Sequence, residues 1–182
     1  MRKRSRKTVA GLAFFVVIGV VSYLASPSFG GSASAPEIIS STWINSKPLK
    51  MEDLRGKVVM VEFWTFGCWN CRNIEPYVKE WHQKYAEKGL VVVAVHSPEF
   101  DYEKEIEKVK HYVKENNILY AVPIDNDFRN WRQYHNRYWP TLYVIDKKGI
   151  IQYTRIGEGA YELTEKTIQR LLVEPDSLIQ NH

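Results

Sequence analysis

The sequence predicts an α/β fold, a sandwich in which a central mixed sheet has helices on both faces, preceded by one transmembrane or signal helix. Short apolar runs rich in β-branched and aromatic residues alternate with segments whose apolar residues recur at helical spacing, which is typical of parallel strands joined by helices. The last two apolar runs flank a tight turn and predict a hairpin, which adds an antiparallel edge to the sheet. An uncharged apolar run follows a basic amino terminus, which is typical of export or membrane insertion.

The positions of the strands and helices follow from this alternation. Val58–Trp64 and Leu90–Val95 are near-continuous apolar runs, so both are predicted to be buried strands. Further strands are predicted at Ala121–Ile124, Thr141–Ile145 and Ile150–Thr154, the last two around a turn over residues 146–149. Helices are predicted from the cysteines to Gly89, from Asp101, from Asp127 to about Arg137, and around Ile168 and Leu171.

The composition fits one globular domain with an appendage. Hydrophobic residues make up 45% and charged residues 25% of the 182-residue chain, and both values are ordinary for a globular protein. The formal net charge is +4, but five positive charges lie within residues 2–7. The remaining chain is close to neutral, so the charge predicts no nucleic-acid partner.

Residues 1–25 are predicted to be a signal-anchor that crosses the cell membrane once. The basic residues precede Thr8–Leu24, a run of 17 residues without charge, which is at the lower limit for a spanning helix. A cleaved signal peptide is the alternative, but the candidate cleavage triplet at residues 33–35 lies far from the apolar run and is followed by Pro36. The positive-inside rule places the following domain outside the cytoplasm.

The rest of the chain divides by composition. Residues 26–36 are small, uncharged and rich in Ser and Gly, which predicts a flexible linker. Residues 37–175 are predicted to form the α/β domain, and residues 176–182 a tail. A single-pass membrane protein with an extracytoplasmic C-terminal domain is therefore expected.

The only two cysteines of the chain, Cys68 and Cys71, lie between a predicted buried strand and a predicted helix. A thiol at a helix start faces unpaired N–H groups and the positive end of the helix dipole, which lower its pKa and raise its reactivity. Cys71 follows one turn later, so the two sulfurs can close a disulfide. An oxidising compartment outside the cytoplasm allows such a pair to cycle.

Two other roles for the cysteines were weighed. A structural zinc site needs four ligands, and the chain has neither a second CxxC nor an HxxxH pattern. Two inert buried thiols leave the position at a helix start unexplained. A redox pair therefore fits the sequence best, and it requires no cofactor and no metal.

The stretch VEFWTFGCWNC, residues 61–71, resembles the active-site segment of thioredoxin-like proteins. The resemblance implies that Glu62 is a buried carboxylate that takes the proton of the second cysteine, and that Pro76 kinks the active-site helix. It also implies that Trp139, Pro140 and Thr141 form a cis-proline segment that packs against the disulfide and pairs with the substrate backbone. Trp69 and Trp139 are candidates for an apolar rim that binds an extended peptide; general packing is the alternative role for both.

Three further blocks, residues 96–100, 123–149 and 157–172, resemble the thioredoxin-like domain of DipZ-type proteins, a branch near the TlpA and ResA group. The resemblance implies a membrane-anchored thiol-disulfide oxidoreductase that reduces disulfides of exported protein substrates and receives electrons from a membrane donor of the CcdA type. Two features depart from that family. The chain lacks the fused membrane carrier, and Trp69 and Asn70 stand between its cysteines without the proline common in thioredoxins.

Two rival functions remain open at this point. A peroxiredoxin-like peroxidase needs Pro-x-x-x-Thr-x-x-Cys; Thr65 fits the spacing to Cys68, but Val61 occupies the proline position. A copper carrier would use the cysteine pair with His96 as ligands; a hydrogen-bonded role at the strand end is the alternative for His96. The sequence does not fix whether the protein reduces or oxidises its substrate.

Overall fold

The computed structural model describes residues 34–175, and its centre is a mixed sheet. The strands are β1 (Trp43–Ile44), β2 (Val58–Trp64), β3 (Leu90–His96), β4 (Val122–Pro123), β5 (Thr141–Ile145) and β6 (Ile151–Ile156). The helices are α1 (Trp69–Tyr85), α2 (Ile106–Glu115), α3 (Arg129–Gln133) and α4 (Tyr161–Val173). Short 3₁₀ turns occupy Met51–Leu54, Ala86–Lys88 and Asp101–Lys104.

The central sheet has the strand order β3-β2-β5-β6. β2 and β3 are parallel, whereas β5 is antiparallel to both β2 and β6. β4 extends the sheet beyond β3, because Ala94 N donates to Ala121 O over 2.9 Å, and β1 pairs with β4. The predicted mixed sheet with an antiparallel hairpin edge is thus confirmed, and the carboxyl ends of β2 and β3 meet at one edge.

The two faces of β2 bury different sets of residues, because successive side chains of a strand point to opposite faces. Val58, Met60 and Trp64 pack in one apolar cluster with residues of α1, α2 and α4. Val59, Val61 and Phe63 pack in a second cluster on the other face. The alternation places Glu62 on the first face, toward α1, although its neighbours there are mostly apolar.

The helix predicted from Asp127 to about Arg137 is wrong in length, since α3 ends at Gln133. His135 then adopts a left-handed backbone with φ of 51°, which a continuing helix does not allow. The first N–H group of α3, that of Arg129, donates to the predicted cap Asp127 over 3.3 Å, and the N–H groups of Asn130 and Trp131 donate to Asp125 over 2.9 Å and 3.0 Å. Asp101 likewise begins only a 3₁₀ turn, and α2 begins at Ile106.

The termini meet the predictions only in part. The predicted signal-anchor of residues 1–25 and the tail of residues 176–182 lie outside the described residues. Between residues 34 and 175, no helix has the length and hydropathy needed to cross a bilayer. Ala35 N donates to Gly149 O over 2.9 Å, and Pro36 O accepts from Tyr134 Oη over 2.8 Å. The end of the segment predicted as a linker is therefore attached to the domain.

Candidate active site

Both cysteines lie at the start of α1, at the carboxyl end of β2. Cys68 is the N-cap residue, and its Sγ accepts a hydrogen bond from the backbone N–H of Cys71 over 3.3 Å. The N–H of Cys68 in turn donates to Thr65 O over 3.3 Å. Both thiols are free and largely buried, with 9% of Cys68 and 3% of Cys71 exposed. The structure therefore represents the dithiol form.

The two thiols differ in acidity. Hydrogen bonding from the Cys71 side chain lowers the pKa of Cys68 to about 7, and the backbone N–H of Cys71 acts in the same direction against the opposing effect of burial. Burial first, and then the hydrogen bond to Cys68, raise the pKa of Cys71 far above its usual range. About half of Cys68 is therefore thiolate at neutral pH, whereas Cys71 stays protonated until a base removes its proton.

Alkylation should expose this difference. We expect iodoacetamide to label Cys68 first in the reduced protein at mildly acidic pH, because roughly a tenth of a thiol is ionised one pH unit below its pKa. Cys71 should remain unlabelled on that time scale. Peptide mass spectrometry of samples quenched at intervals would measure both rates, and unfolded protein, in which the two thiols react alike, is the control. Faster labelling of Cys71 would reverse the assignment.

Glu62 lies on the face of β2 that packs against α1, and only 3% of it is exposed. Burial raises the pKa of this carboxyl, and with smaller effects of Glu75 and Cys68 the value reaches about 8. Glu62 in turn makes a small contribution to the raised pKa of Cys71. Glu62 is thus a proton-holding group beside the buried thiol.

A second buried carboxylate, that of Glu75, was not predicted. It lies on α1 one turn after Cys71 and is 8% exposed. Lys79 Nζ lies 2.9 Å from Glu75 Oε1, and Tyr112 Oη donates to Oε2 over 2.8 Å. The spacing of four residues from both Cys71 and Lys79 was the signal available in the sequence.

The peptide bond between Trp139 and Pro140 is cis, as the resemblance to thioredoxin-like proteins implied. Pro140 O accepts from Gly157 N over 2.8 Å, and Thr141 Oγ1 donates to Tyr138 O over 2.8 Å. The indole of Trp139 donates to Ser97 O over 2.9 Å. These bonds fix the segment between β5 and the loop that follows β3.

Cys68 opens into a cleft of about 450 Å³. Trp69 and Trp139, the two tryptophans predicted to form a rim, both line it. Trp69 is 74% exposed, whereas Trp139 is partly buried against Trp131, with ring centroids 4.2 Å apart. The other lining residues, which sequence reasoning missed, include two exposed aromatics and two opposite charges: Phe100, Tyr138, Glu99 and Arg137.

Glu103 binds the loop after β3, and its carboxylate lies close to the turn before Cys68. This carboxylate is fully buried, and its Oε2 accepts the N–H groups of Glu99 over 2.6 Å and of Phe100 over 3.0 Å. A side-chain carbon at Gly67 would overlap the Glu103 carboxylate and the Tyr102 hydroxyl. A larger residue at position 67 therefore requires both of these side-chain ends to move.

His96 is buried at the end of β3 and has the hydrogen-bonded role that the sequence left as an alternative. Its Nε2 lies 3.2 Å from Thr65 Oγ1, and its ring stacks on Phe66 with centroids 5.7 Å apart. Burial lowers the pKa of His96 to about 4, so the ring is neutral at pH 7. Among the residues that the structure describes, no group of three or more His, Cys, Asp or Glu side chains is arranged to hold a metal ion.

Comparison with known proteins points to one family. Residues 33–154 match the AhpC/TSA family. The protein DipZ of Mycobacterium tuberculosis is 39% identical over 143 residues, which are 76% of this chain but 21% of DipZ, so the chain spans about a fifth of that relative's length. The thiol-disulfide oxidoreductase ResA of Bacillus cereus is 32% identical over 130 residues, which are 71% of this chain and 72% of ResA. The solution structure of a thioredoxin-like protein in its oxidised form is 30% identical, with a TM-score of 0.71 over 78% of this chain and 95% of the other.

Proposed function

The chain belongs to the AhpC/TSA family and has a thioredoxin-like fold, and from that premise we propose that it is a thiol-disulfide oxidoreductase that reduces disulfides of exported proteins at the outer side of the cell membrane. The observation that carries the proposal is the contrast between the two thiols. An ionised, cleft-facing Cys68 stands next to a buried, protonated Cys71. That contrast suits an attacking thiol followed by a resolving thiol.

The first step is attack of the Cys68 thiolate on one sulfur of a substrate disulfide. The bond between the two substrate sulfurs breaks, and a mixed disulfide between Cys68 and the substrate forms. The other substrate sulfur leaves as a thiolate and takes a proton from water. The donors around Cys68 that lower its pKa to about 7 keep much of it in the reactive form at neutral pH.

The second step releases the substrate. Glu62, in its ionised form, takes the proton of Cys71, and the resulting thiolate attacks Cys68 Sγ. The Cys68–Cys71 disulfide forms, and the second substrate sulfur leaves as a thiolate that takes up the proton from Glu62, which returns to its ionised form. Two electrons and two protons have then passed to the substrate, and no cofactor or metal takes part.

The substrate is expected to lie along the cleft as an extended peptide. Trp69 and Trp139 flank the mouth of the cleft near Cys68, and the backbone of Trp139, Pro140 and Thr141 would pair with the peptide. Exposed aromatic side chains around a reactive group favour apolar residues on either side of the substrate cystine.

The resulting disulfide needs a reductant on the same side of the membrane. We expect a separate membrane donor of the CcdA type to supply the two electrons. The uncharged run at Thr8–Leu24 would anchor the chain in the same membrane, with the basic residues on the cytoplasmic side.

The location and the direction of electron flow are tested together in intact cells. We expect the full chain to remain in the membrane pellet after carbonate extraction, and protease added from outside to remove the domain. A larger fraction of the cysteines of exported proteins should be found in disulfides when Cys68 is replaced by serine. A soluble cytoplasmic chain would contradict the anchor, and a shift of exported proteins toward the thiol form would show that the protein is an oxidant.

A further inference from the structure

The cleft that contains Cys68 also carries two opposite charges to which the reaction steps give no role. Glu99 comes from the loop after β3, and Arg137 comes from the segment between α3 and β5. Both side chains are exposed, and both residues line the cleft together with Cys68. A peptide that reaches Cys68 therefore lies beside both charges.

The topology of the sheet places the two charges on different sides of Cys68. The strand order is β3-β2-β5, and the carboxyl ends of β2 and β3 lie at the same edge as the amino end of the antiparallel β5. At that edge β2 leads to Cys68, β3 leads to Glu99, and β5 begins four residues after Arg137. The segment that carries the reactive thiol thus lies between the segments that carry the acid and the base.

Neither charge is neutralised by the part of the protein that the structure describes. Within residues 34–175 the side chains of Glu99 and Arg137 have no hydrogen-bond or ion-pair partner, and they are not paired with each other. The neighbouring acids differ in this respect. Asp101 binds Lys104 over 2.7 Å, and the carboxylate of Glu103 accepts two backbone N–H groups. The cleft therefore presents one carboxylate and one guanidinium to an incoming peptide.

The wall that carries Glu99 is held in place by buried contacts. The Glu103 carboxylate accepts the N–H of Glu99 over 2.6 Å and that of Phe100 over 3.0 Å. The ring of Phe100 stacks on Tyr102, with centroids 5.9 Å apart, and Tyr102 packs edge-on against Phe66, next to the turn before Cys68. Because this backbone is already ordered, little freedom is lost when Glu99 binds a partner.

The wall that carries Arg137 is fixed on both sides of that residue. Asn136 is buried, its Nδ2 donates to Tyr138 O over 3.1 Å, and its Oδ1 accepts from Tyr143 Oη over 3.2 Å. The backbone at Arg137 is thus held between two residues that bind each other, while its side chain extends into the cleft.

One hydrogen bond joins the two walls. The indole of Trp139, two residues after Arg137, donates to the carbonyl oxygen of Ser97, two residues before Glu99, over 2.9 Å. The fold therefore sets the separation of the two backbone segments before any substrate binds. Preformed charges at a fixed separation select partners by where the complementary charges lie along the peptide.

We propose, on the basis of the reaction proposed above, that Glu99 and Arg137 are specificity-determining residues, and that the preferred client segment carries a basic residue on one side of its reactive cysteine and an acidic residue on the other. The basic side chain binds Glu99, and the acidic side chain binds Arg137. The opposite order of charges places like charges together and is disfavoured. The chemical steps at Cys68 and Cys71 are unchanged.

The test uses the reduced full-length protein and three disulfide-linked peptide homodimers of one length. Their cysteine is flanked by lysine and then glutamate, by glutamate and then lysine, or by glutamine on both sides. Rapid acid quench and chromatography give the second-order rate constant for reduction of each peptide. We expect one charged isomer to react roughly tenfold faster than the other at low ionic strength, with the neutral peptide between them. The difference should shrink at high salt.

Exchange of the two charges is the decisive variant. Glu99→Arg combined with Arg137→Glu keeps the net charge and should reverse the preferred isomer, whereas Glu99→Gln combined with Arg137→Gln should remove the preference. Arg129→Gln is the matched control, because Arg129 is exposed at the start of α3 and does not line the cleft. The ratio of the two isomers is the readout, since a charge beside Cys68 alters its reactivity toward every peptide alike.

The neutral peptide separates the two ways of failing. If the parent protein reduces none of the three peptides, the proposed function is wrong and this proposal falls with it. If it reduces all three at the same rate, the function stands and the role of Glu99 and Arg137 is wrong. A preference that the charge-exchanged variant keeps unchanged would also overturn the proposal, because the preference would then come from another part of the cleft.

Discussion

Replacing Cys68 with serine is expected to abolish disulfide reduction, and replacing Cys71 with serine is expected to stop the reaction at the mixed disulfide. A serine hydroxyl does not ionise at neutral pH, so Cys68→Ser should lower turnover by roughly a thousandfold or more. Cys71→Ser keeps the attacking thiolate but has no resolving thiol. The substrate should then stay bound to Cys68 through a disulfide that dithiothreitol reverses.

Trapping in the native host measures both effects. Non-reducing gels of Cys71→Ser cells should show added bands that contain the client proteins, and mass spectrometry would identify those clients. The double variant with serine at both positions is the control and should show none of these bands. Bands that persist in the double variant, or that arise from Cys68→Ser with Cys71 intact, would contradict Cys68 as the attacking thiol.

Glu62→Gln is expected to separate the two chemical steps. Attack by Cys68 should change little, because its pKa is lowered chiefly by hydrogen bonds from Cys71. Resolution should slow by roughly a hundred- to ten-thousand-fold, the range for loss of an acid–base group. Stopped-flow measurement with a disulfide peptide resolves the two rates. If resolution keeps the parent rate, Glu62 is structural and the proton of Cys71 passes directly to water.

The same substitution should change how stability depends on pH. Burial raises the pKa of Glu62 from 4.5 to about 8 in the folded protein. Its favourable contribution to the free energy of unfolding is therefore fully present below the unfolded-state pKa and is lost as pH rises through the folded-state pKa. Glu62→Gln should therefore gain stability relative to the parent as pH rises between these values, by roughly 1.4 kcal/mol per unit of pKa difference at most. Denaturant unfolding at several pH values measures this, and exposed Glu80→Gln on α1 is the matched control.

Much of the sheet could be predicted because its strands carry the signal themselves. Val58–Trp64 and Thr141–Ile145 have the predicted bounds, since each is a continuous apolar run that is buried along its whole length. The cysteines were predictable for the same local reason, because strand, CxxC and helix follow each other directly in the chain. The cis bond before Pro140 came from family resemblance and not from local pattern.

The features that were missed depend on residues far apart in the chain. In the sequence Glu75 is one polar residue of an amphipathic helix, and its hydrogen bond becomes visible only when the fold brings Tyr112, 37 residues away, against it. α3 was predicted too long because no local pattern marks the left-handed backbone at His135. Its start is bound by Asp127 and also by Asp125, whose carboxylate accepts a hydrogen bond from Ser97, 28 residues earlier.

The close approach of Glu103 to Gly67 has a consequence for how this site can change during evolution. A side chain at position 67 would enter the space of the buried carboxylate at position 103, so a substitution of Gly67 requires that carboxylate to move or to be shortened. Either change disturbs its hydrogen bonds with the N–H groups of Glu99 and Phe100, two residues that line the cleft. We therefore expect the residues at positions 67 and 103 to vary together, and a mutation at either one, outside the CxxC motif, to alter the shape of the cleft.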